Sequence, residues 1–259
     1  MNNYHDKMIE EHLIKQLDHH LDGLKEKIIG DFSKSSFESE IEALKNDSLY
    51  PKFAMATGEY VLIRFMGRMS ISIGRRIGEI YDKIPRLIAQ KVFDIPTDRI
   101  APKMGGKLEL DTCLPFDIIS DHGRNHIAEV VKKYIKTSPA KNGIGIEIRY
   151  NFNPNDSSRL RKDEAMANHL INDMLTPVYL IFSSISPRAD AISRLERAGW
   201  TFIIGENARR FSQDLYGINI STILEKESVN TTITHRVNEI MGILYSSYAF
   251  RQIADKYIR

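Results

Sequence analysis

The feature that most constrains the fold is a near-continuous apolar run, TPVYLIFSSI, at residues 176–185. A strand with one face in water alternates apolar and polar residues, and this run does not alternate. It therefore predicts a strand that is buried on both faces. Helical patterns precede it at residues 160–175 and follow it at residues 188–198, which favours a sheet covered by helices.

Three further segments between residues 105 and 207 predict strands. "GGKLELDTCLPFDII" alternates Leu108, Leu110 and Thr112 with acidic residues and Cys113, and "GIGIEIRYNF" and "WTFIIGE" are the other two. Helical segments at residues 125–136 and 207–216 complete the alternation of strands and helices. The fold class predicted is α/β or α+β, with a mixed central sheet flanked by helices.

The two ends of the chain predict helical extensions. Residues 4–29 form an amphipathic pattern, residues 53–94 keep a helical period, and residues 230–258 predict one long helix. Ser70 or Ser72 is a candidate cap for the second helix and Pro85 is expected to end or kink it, while Asn230 or Thr231 is a candidate cap for the third. We expect one domain over residues 1–259, with a helical region at 1–67, an α/β core at 68–220 and a C-terminal helix at 230–259.

Composition limits the class of protein. The net charge is only +2, so a polyanion site has to come from local clustering of basic residues. A single cysteine excludes a disulfide framework within the chain and fits a reducing compartment. The N-terminus is too charged for a signal peptide, and no apolar run approaches the roughly 18 residues that span a bilayer. We expect a cytoplasmic protein without a membrane segment.

Carboxylates on the predicted strands are the most informative polar residues. Asp111 lies among apolar neighbours on one strand, and Glu147 and Arg149 lie two residues apart on another, hence on the same face. Buried carboxylates are costly unless they are paired or bind a metal. Two interpretations stay open: an ion pair across neighbouring strands, such as Asp111 with Arg149, or a Mg²⁺ site in which metal-bound water attacks a phosphodiester.

The chain has an acid on one strand and Glu-x-Arg on the next. This arrangement is similar to the motif of the PD-(D/E)XK nuclease superfamily, in which an acid is followed by Glu-x-Lys. That superfamily includes most type II restriction endonucleases. The wider order also resembles that superfamily. A helix carrying Glu79 precedes the first strand, and a helix and the strands "PVYLIFSSI" and "WTFIIGE" follow the second. The resemblance covers roughly residues 68–215 and implies a restriction-endonuclease-like core.

The resemblance implies Asp111 and Glu147 as ligands of a catalytic Mg²⁺, with Asp117 in "LPFD" competing for the role of Asp111. Arg149 stands where the family usually has lysine. Arginine is a poor general base because its pKa is above about 12, but it can hold a phosphate oxygen or stabilise the transition state. Some restriction enzymes take an acid from the next helix, a role that Glu164 would fill. Alternatively, Asp163 and Glu164 are first-turn acids favoured by the helix dipole.

A polar and basic stretch follows the Glu-x-Arg strand directly. Such side chains contact phosphates, and Arg or Asn also reads base edges; the alternative is a solvated loop. The candidate DNA-binding residues are Asn153, Asn155, Ser158, Arg159, Arg161 and Lys162.

The function expected from the resemblance is Mg²⁺-dependent cleavage of double-stranded DNA by a type II restriction endonuclease. Enzymes of this kind are usually homodimers because two-fold symmetry matches a palindromic site; the N- or C-terminal helix is the candidate contact. One rival is a DNA-binding protein on a nuclease-like scaffold without catalysis, which the missing lysine motivates. Another is an interaction protein whose strand acids are only ion-paired.

Overall fold

The computed structural model describes residues 2–150, 157–184, 189–218, 222–223 and 225–257, with the side chains of residues 2–6, 77–82 and 157 outside the description. Its helices are α1 Asn2–Asp31, α2 Lys34–Asn46, a 3₁₀ turn at Tyr50–Phe53, α3 Gly58–Val92, α4 Thr97–Ile100, α5 Asp121–Ile135, α6 Ser157–Asn172, α7 Ala189–Arg197, α8 Glu206–Tyr216, α9 Glu227–Ser246 and α10 Tyr248–Tyr257. Its strands are β1 Lys103–Met104, β2 Leu108–Glu109, β3 Thr112–Pro115, β4 Gly143–Arg149, β5 Thr176–Ile181 and β6 Thr201–Ile204.

The central sheet is mixed, as predicted. Its strand order is β3-β4-β5-β6, with β3 antiparallel to β4 and the other two pairs parallel. Residues 178–181 of β5 are fully buried, which confirms that the first part of the apolar run, Thr176–Ile181, forms a strand covered on both faces. The fold class of mixed α/β with helices flanking the sheet is therefore confirmed.

Helices α6 and α7 pack on one face of this sheet. Leu170 of α6 and Leu195 of α7 lie in one buried cluster with Tyr179 and Trp200. At Gly145 of β4, an added Cβ would lie 2.4 Å from Cδ2 of Leu170, so this close approach of helix to strand needs glycine. The packing brings the N-terminal half of α6 towards the end of β4.

The strand predicted around residue 111 is interrupted. Leu108 and Glu109 pair with β1 in a small hairpin, whereas Thr112–Pro115 pair with β4. The pairing partner changes between the two, so Leu110 and Asp111 lie at a junction and not within a continuous strand. Asp111 is thereby placed directly before the first residue of β3.

The predicted cap at the start of the second helix is wrong. Helix α3 begins at Gly58, where Oγ1 of Thr57 accepts a hydrogen bond from the Tyr60 amide (3.3 Å), so Ser70 and Ser72 lie inside the helix and cap nothing. The same helix runs on past Pro85, so the predicted end at this proline is wrong, while a kink there stays a prediction.

The C-terminal segment is two helices and not one. Helix α9 begins at Glu227, so Asn230 and Thr231 lie within it. Ser247 has extended backbone (ψ 152°), and its hydroxyl accepts a hydrogen bond from the amide of Phe250 in α10. This serine ends one helix and caps the next.

The chain divides into two compact units. One comprises residues 1–10 and 78–225 and contains the sheet; the other comprises residues 11–77 and 226–259 and is helical where described. Aromatic rings form part of the core of the helical unit, with ring centres of Phe32 and Phe65 5.2 Å apart and of Phe37 and Phe65 6.4 Å apart. One nuclease domain over residues 1–259 stays a prediction.

Within the described part of the chain, no helix combines the length and the apolar character needed to cross a membrane.

Candidate functional site

The guanidinium of Arg149 joins two carboxylates at the end of β4. Its Nη1 lies 2.8 Å from Oδ2 of Asp111, and its Nη2 is hydrogen-bonded to Oε1 of Glu147. The ion pair between Asp111 and Arg149, one of the two interpretations left open by the sequence, is therefore present. The same geometry also brings both predicted metal ligands to one place.

Strand register explains why Asp111 meets Glu147. Thr112 pairs with Ile146 in the antiparallel ladder, so the residue before β3 lies beside the residue after Ile146. Oδ2 of Asp111 accepts a hydrogen bond from the amide of Ile148 (2.8 Å), and Nε of Arg86 donates to the Asp111 carbonyl (2.7 Å). These contacts hold the β2–β3 junction against the end of β4.

The competing acid, Asp117, lies beyond the opposite end of β3. Nη2 of Arg99 lies 2.9 and 2.7 Å from its two carboxylate oxygens. This hydrogen bonding holds the pKa of Asp117 below its usual range. The structure thus brings Asp111, and not Asp117, to Glu147.

Glu147 is nearly inaccessible to solvent, with 5% of its surface exposed. Its Oε2 and the Nε of Arg149 are buried and have no hydrogen-bond partner among the described residues. Burial raises the pKa of Glu147, and the negative charge of Asp111 raises it further, while Arg149 acts in the opposite direction. Burial also opposes the charge of Arg149, but Glu147, Tyr179 and Asp111 outweigh it and hold the pKa of Arg149 well above its ordinary value.

A third acid, Asp163 of α6, lies in the same site. Its Oδ2 accepts a hydrogen bond from the hydroxyl of Tyr179 (3.1 Å), and its carbonyl accepts one from Nε1 of Trp200 (2.7 Å). Asp163 is 6% exposed, and burial raises its pKa. In the sequence it is only a candidate first-turn acid, and its place in the site was not predicted. Its spacing of three, four and seven residues from the buried Met166, Ala167 and Leu170 was the signal that would have placed it on the inner face of the helix.

Glu164, the acid proposed from the sequence, points elsewhere. Both of its carboxylate oxygens accept hydrogen bonds from Arg194 of α7, at 2.6 and 2.7 Å. This pairing lowers the pKa of Glu164. Successive residues on a helix point about 100° apart, so only one of the two neighbouring acids reaches the site, and that acid is Asp163.

An open cavity of about 360 Å³ lies over these groups. Glu147, Arg149 and Asp163 line it, and three cationic residues, Lys107, Arg159 and Lys162, line it as well. Nε of Arg159 lies 4.0 Å from Oδ2 of Asp163. The cavity therefore combines buried carboxylates with three exposed positive charges and one exposed acid, Glu109.

The other predicted DNA-binding residues are placed as follows. Ser158 lines the cavity together with Arg159 and Lys162. Arg161 is exposed on α6, and its charge acts on Glu164. Asn153 and Asn155 lie outside the described residues, as does the side chain of Glu79.

The side chains suit a hard divalent cation in part. Among the described residues, no group of three or more His, Cys, Asp or Glu side chains is placed to hold a metal. Asp111 and Glu147 nevertheless supply two carboxylates, and Oε2 of Glu147 is a buried acceptor to which no described donor is bonded. Mg²⁺ is usually held by one or two protein carboxylates, with waters and substrate phosphates completing its coordination, so the donor set fits this ion.

Comparisons of the chain with protein-family models, with curated proteins and with solved structures found no significant match. Function therefore has to be inferred from the residues of the site.

Proposed function

We propose that the protein cleaves double-stranded DNA by Mg²⁺-dependent hydrolysis of phosphodiester bonds. The observation that carries the proposal is the buried Oε2 of Glu147, which no described donor satisfies, beside Asp111 and in a cavity that Lys107, Arg159 and Lys162 also line. A buried acceptor without a donor costs about 1–3 kcal/mol, and a cation would remove that cost. The positive side chains can neutralise the phosphates of a DNA backbone.

In this proposal Asp111 and Glu147 hold the cation, which supplies an activated water and offsets the charge that develops on the phosphate. Arg149 cannot take a proton from the attacking water, because its pKa is held above an already high value. Its fork of N–H donors suits a different task, binding the oxygens of the scissile phosphate. Arginine is therefore a phosphate ligand here and not the general base.

The DNA would run over the N-terminal part of α6. Arg159 and Lys162 bind phosphates from within the cavity, Arg161 does so from the outer surface of the helix, and the Ser158 hydroxyl adds a hydrogen bond. A homodimer acting as a type II restriction endonuclease in the cytoplasm is the form of this activity that the sequence resemblance implies. Two-fold symmetry would then match a palindromic site.

A second candidate, DNA binding without cleavage, is favoured by one specific observation. Arg149 replaces the usual lysine and already binds the two carboxylates that a metal would need. In such a protein the arginine would be a permanent counter-ion. Binding to DNA would then depend on salt and not on a divalent cation.

The test is incubation of the purified protein with phage-sized duplex DNA, with Mg²⁺ or with EDTA, followed by gel electrophoresis. Discrete fragments only with Mg²⁺ are the expected result, and mapping their ends gives the recognition site. Intact DNA in both lanes contradicts the nuclease proposal. A gel shift on the same samples then separates the binding protein, which retards the DNA, from a protein with no DNA affinity.

A further inference from the structure

The Arg149 guanidinium contacts two of the three acids in the site. Arg149 contacts Asp111 and Glu147 directly, and Asp163 lines the same cavity. A divalent cation held by Asp111 and Glu147 would occupy the carboxylates that Arg149 now contacts. Oε2 of Glu147, which no described donor satisfies, is available to the cation, and the second positive charge beside the guanidinium would then favour its movement away from these carboxylates.

Tyr179 connects the guanidinium to the third acid. The guanidinium carbon of Arg149 lies over the Tyr179 ring, 5.8 Å from its centre, and the hydroxyl of the same ring donates to Oδ2 of Asp163. Phe202 stacks on this ring at 4.8 Å, and Trp200 contacts it edge-on at 5.2 Å. The ring is thus held in place, and so is Asp163 at its tip.

We propose that Asp163 is a positioning residue that receives the Arg149 guanidinium when a divalent cation takes Asp111 and Glu147. The inference rests on the proposed function for the existence of the cation site, but not on DNA cleavage. Arg149 is the cation that joins Asp111 and Glu147 in this structure, and Asp163 is the carboxylate to which it moves. Arg149 and Asp163 both line the cavity, so a guanidinium paired with Asp163 would still face a phosphate bound there.

Two other roles for Asp163 have different consequences. A direct ligand would contribute to cation binding whether or not Arg149 is present. A purely structural residue would affect folding and leave cation binding unchanged. A double-mutant cycle between Arg149 and Asp163, read out as cation affinity, separates all three.

The experiment uses the full chain without DNA and measures the affinity for Mn²⁺ alone, by electron paramagnetic resonance of free Mn²⁺. Asp163→Asn keeps an acceptor for Tyr179, so the fold should be retained. We expect Asp163→Asn to weaken Mn²⁺ binding about tenfold in the wild-type background, and less than about twofold in an Arg149→Met background. Arg149→Met alone should tighten Mn²⁺ binding, since it removes the competing cation.

Glu164→Gln is the matched control, because it removes the neighbouring acid of the same helix from its pair with Arg194. It should leave Mn²⁺ affinity unchanged. An equal loss from Asp163→Asn in both backgrounds overturns the inference in favour of a direct ligand, and no loss in either overturns it in favour of a structural role.

Arg149→Lys provides a second background if Arg149→Met does not fold. Lysine keeps one charge but lacks the planar fork that holds two carboxylates, so the effect of Asp163→Asn should shrink there as well. An undiminished effect would contradict the inference. If the double-mutant cycle shows coupling between Arg149 and Asp163 but the protein leaves DNA intact, the nuclease proposal is rejected and the role of Asp163 is kept. If no variant binds Mn²⁺, the cation site and this role are rejected together.

Discussion

At the scale of single residues, the main feature of the site is that one cation, Arg149, faces several largely buried acids. Two carboxylates bind this guanidinium and a third lies near it, yet Oε2 of Glu147 still has no donor among the described residues. Such an arrangement is a poor way to gain stability, since buried ion pairs recover little more than their desolvation cost. A functional reason for the extra acids is therefore the simpler explanation.

Replacement of Arg149 by methionine should destabilise the fold strongly. It leaves the largely buried Asp111 carboxylate without its counter-ion and Oε1 of Glu147 without its donor, and breaking a buried pair from one side costs about 3–5 kcal/mol. Urea unfolding at neutral pH measures the loss. Arg99→Met is the matched control, because its pair with Asp117 is largely exposed and should cost less than about 1 kcal/mol. Equal losses in the two variants would contradict the importance assigned to Arg149.

Glu147→Gln should change how stability depends on pH. The pKa of Glu147 is raised in the folded protein, so its contribution to stability is fully present below the ordinary value of 4.5 and is lost as pH rises above that value towards the raised one. The glutamine cannot titrate. The free energy of unfolding of Glu147→Gln minus that of wild type should therefore increase as pH rises from 4.5 through neutrality.

The control for this pH series is Glu164→Gln. The pKa of Glu164 is lowered from its ordinary 4.5, so its stabilising contribution is lost only as pH falls below that value, and the difference from wild type should stay constant above it. A constant difference for Glu147→Gln over the same range would show that Glu147 titrates normally.

At the scale of elements, the strand ladder β3–β4 is what brings the acids together. Gly143 begins β4 with φ +115°, and an added Cβ would lie 2.1 Å from the carbonyl oxygen of Leu114. Its partner across the ladder is Pro115. The register that places Asp111 beside Glu147 therefore depends on glycine at the other end of the strand pair.

Gly143→Ala should cost about 1–3 kcal/mol for the backbone conformation alone, plus the clash with Leu114. At Gly242, in helix α9, an added Cβ meets no described atom within 4 Å, so Gly242→Ala should stabilise by about 0.5–1 kcal/mol. Thermal unfolding of both variants checks the contrast. If Gly143→Ala leaves the stability unchanged, the end of the β3–β4 ladder can adjust its backbone, and the register does not depend on this glycine.

Element types were predictable from periodicity, but several boundaries and one residue role were not. The apolar run 176–185 and the Glu-x-Arg spacing depend on a side-chain period of two, which is local. The change of pairing partner at Asp111 is tertiary, because it depends on β1 and β4. Which of Asp163 and Glu164 enters the site likewise depends on where α6 packs. The only sequence signal for that packing is the row of apolar residues on the buried face of the helix.

At the scale of the whole molecule, the net charge of +2 gives no general attraction to DNA. Among the described residues, we expect the affinity to come from Lys107, Arg159 and Lys162 beside the cavity and from Arg161 on the outer surface of α6. Arg209 and Arg210 both bind Glu206, which offsets one of their two charges. Binding should therefore be concentrated on one face of the unit that contains the sheet.

The double variant Arg159→Ala, Lys162→Ala should weaken DNA binding at low salt. The slope of log affinity against log salt concentration should fall by about 1–2, one for each phosphate that the variant no longer binds. Arg209→Ala, Arg210→Ala removes the same formal charge and serves as the control. Fluorescence anisotropy with a short duplex at several salt concentrations gives both slopes, and equal changes would contradict a localised DNA surface.

The most direct test of the central claim compares DNA cleavage by wild type, Glu147→Gln and Asp117→Asn in the presence of Mg²⁺. Glu147 and Asp117 lie towards opposite ends of the β3–β4 pair, and each is bound by an arginine. We predict that wild type and Asp117→Asn cut duplex DNA into the same fragments, while Glu147→Gln still binds the DNA but leaves it intact. Cleavage by Glu147→Gln at the wild-type rate would contradict the claim that Asp111 and Glu147 form a hydrolytic site.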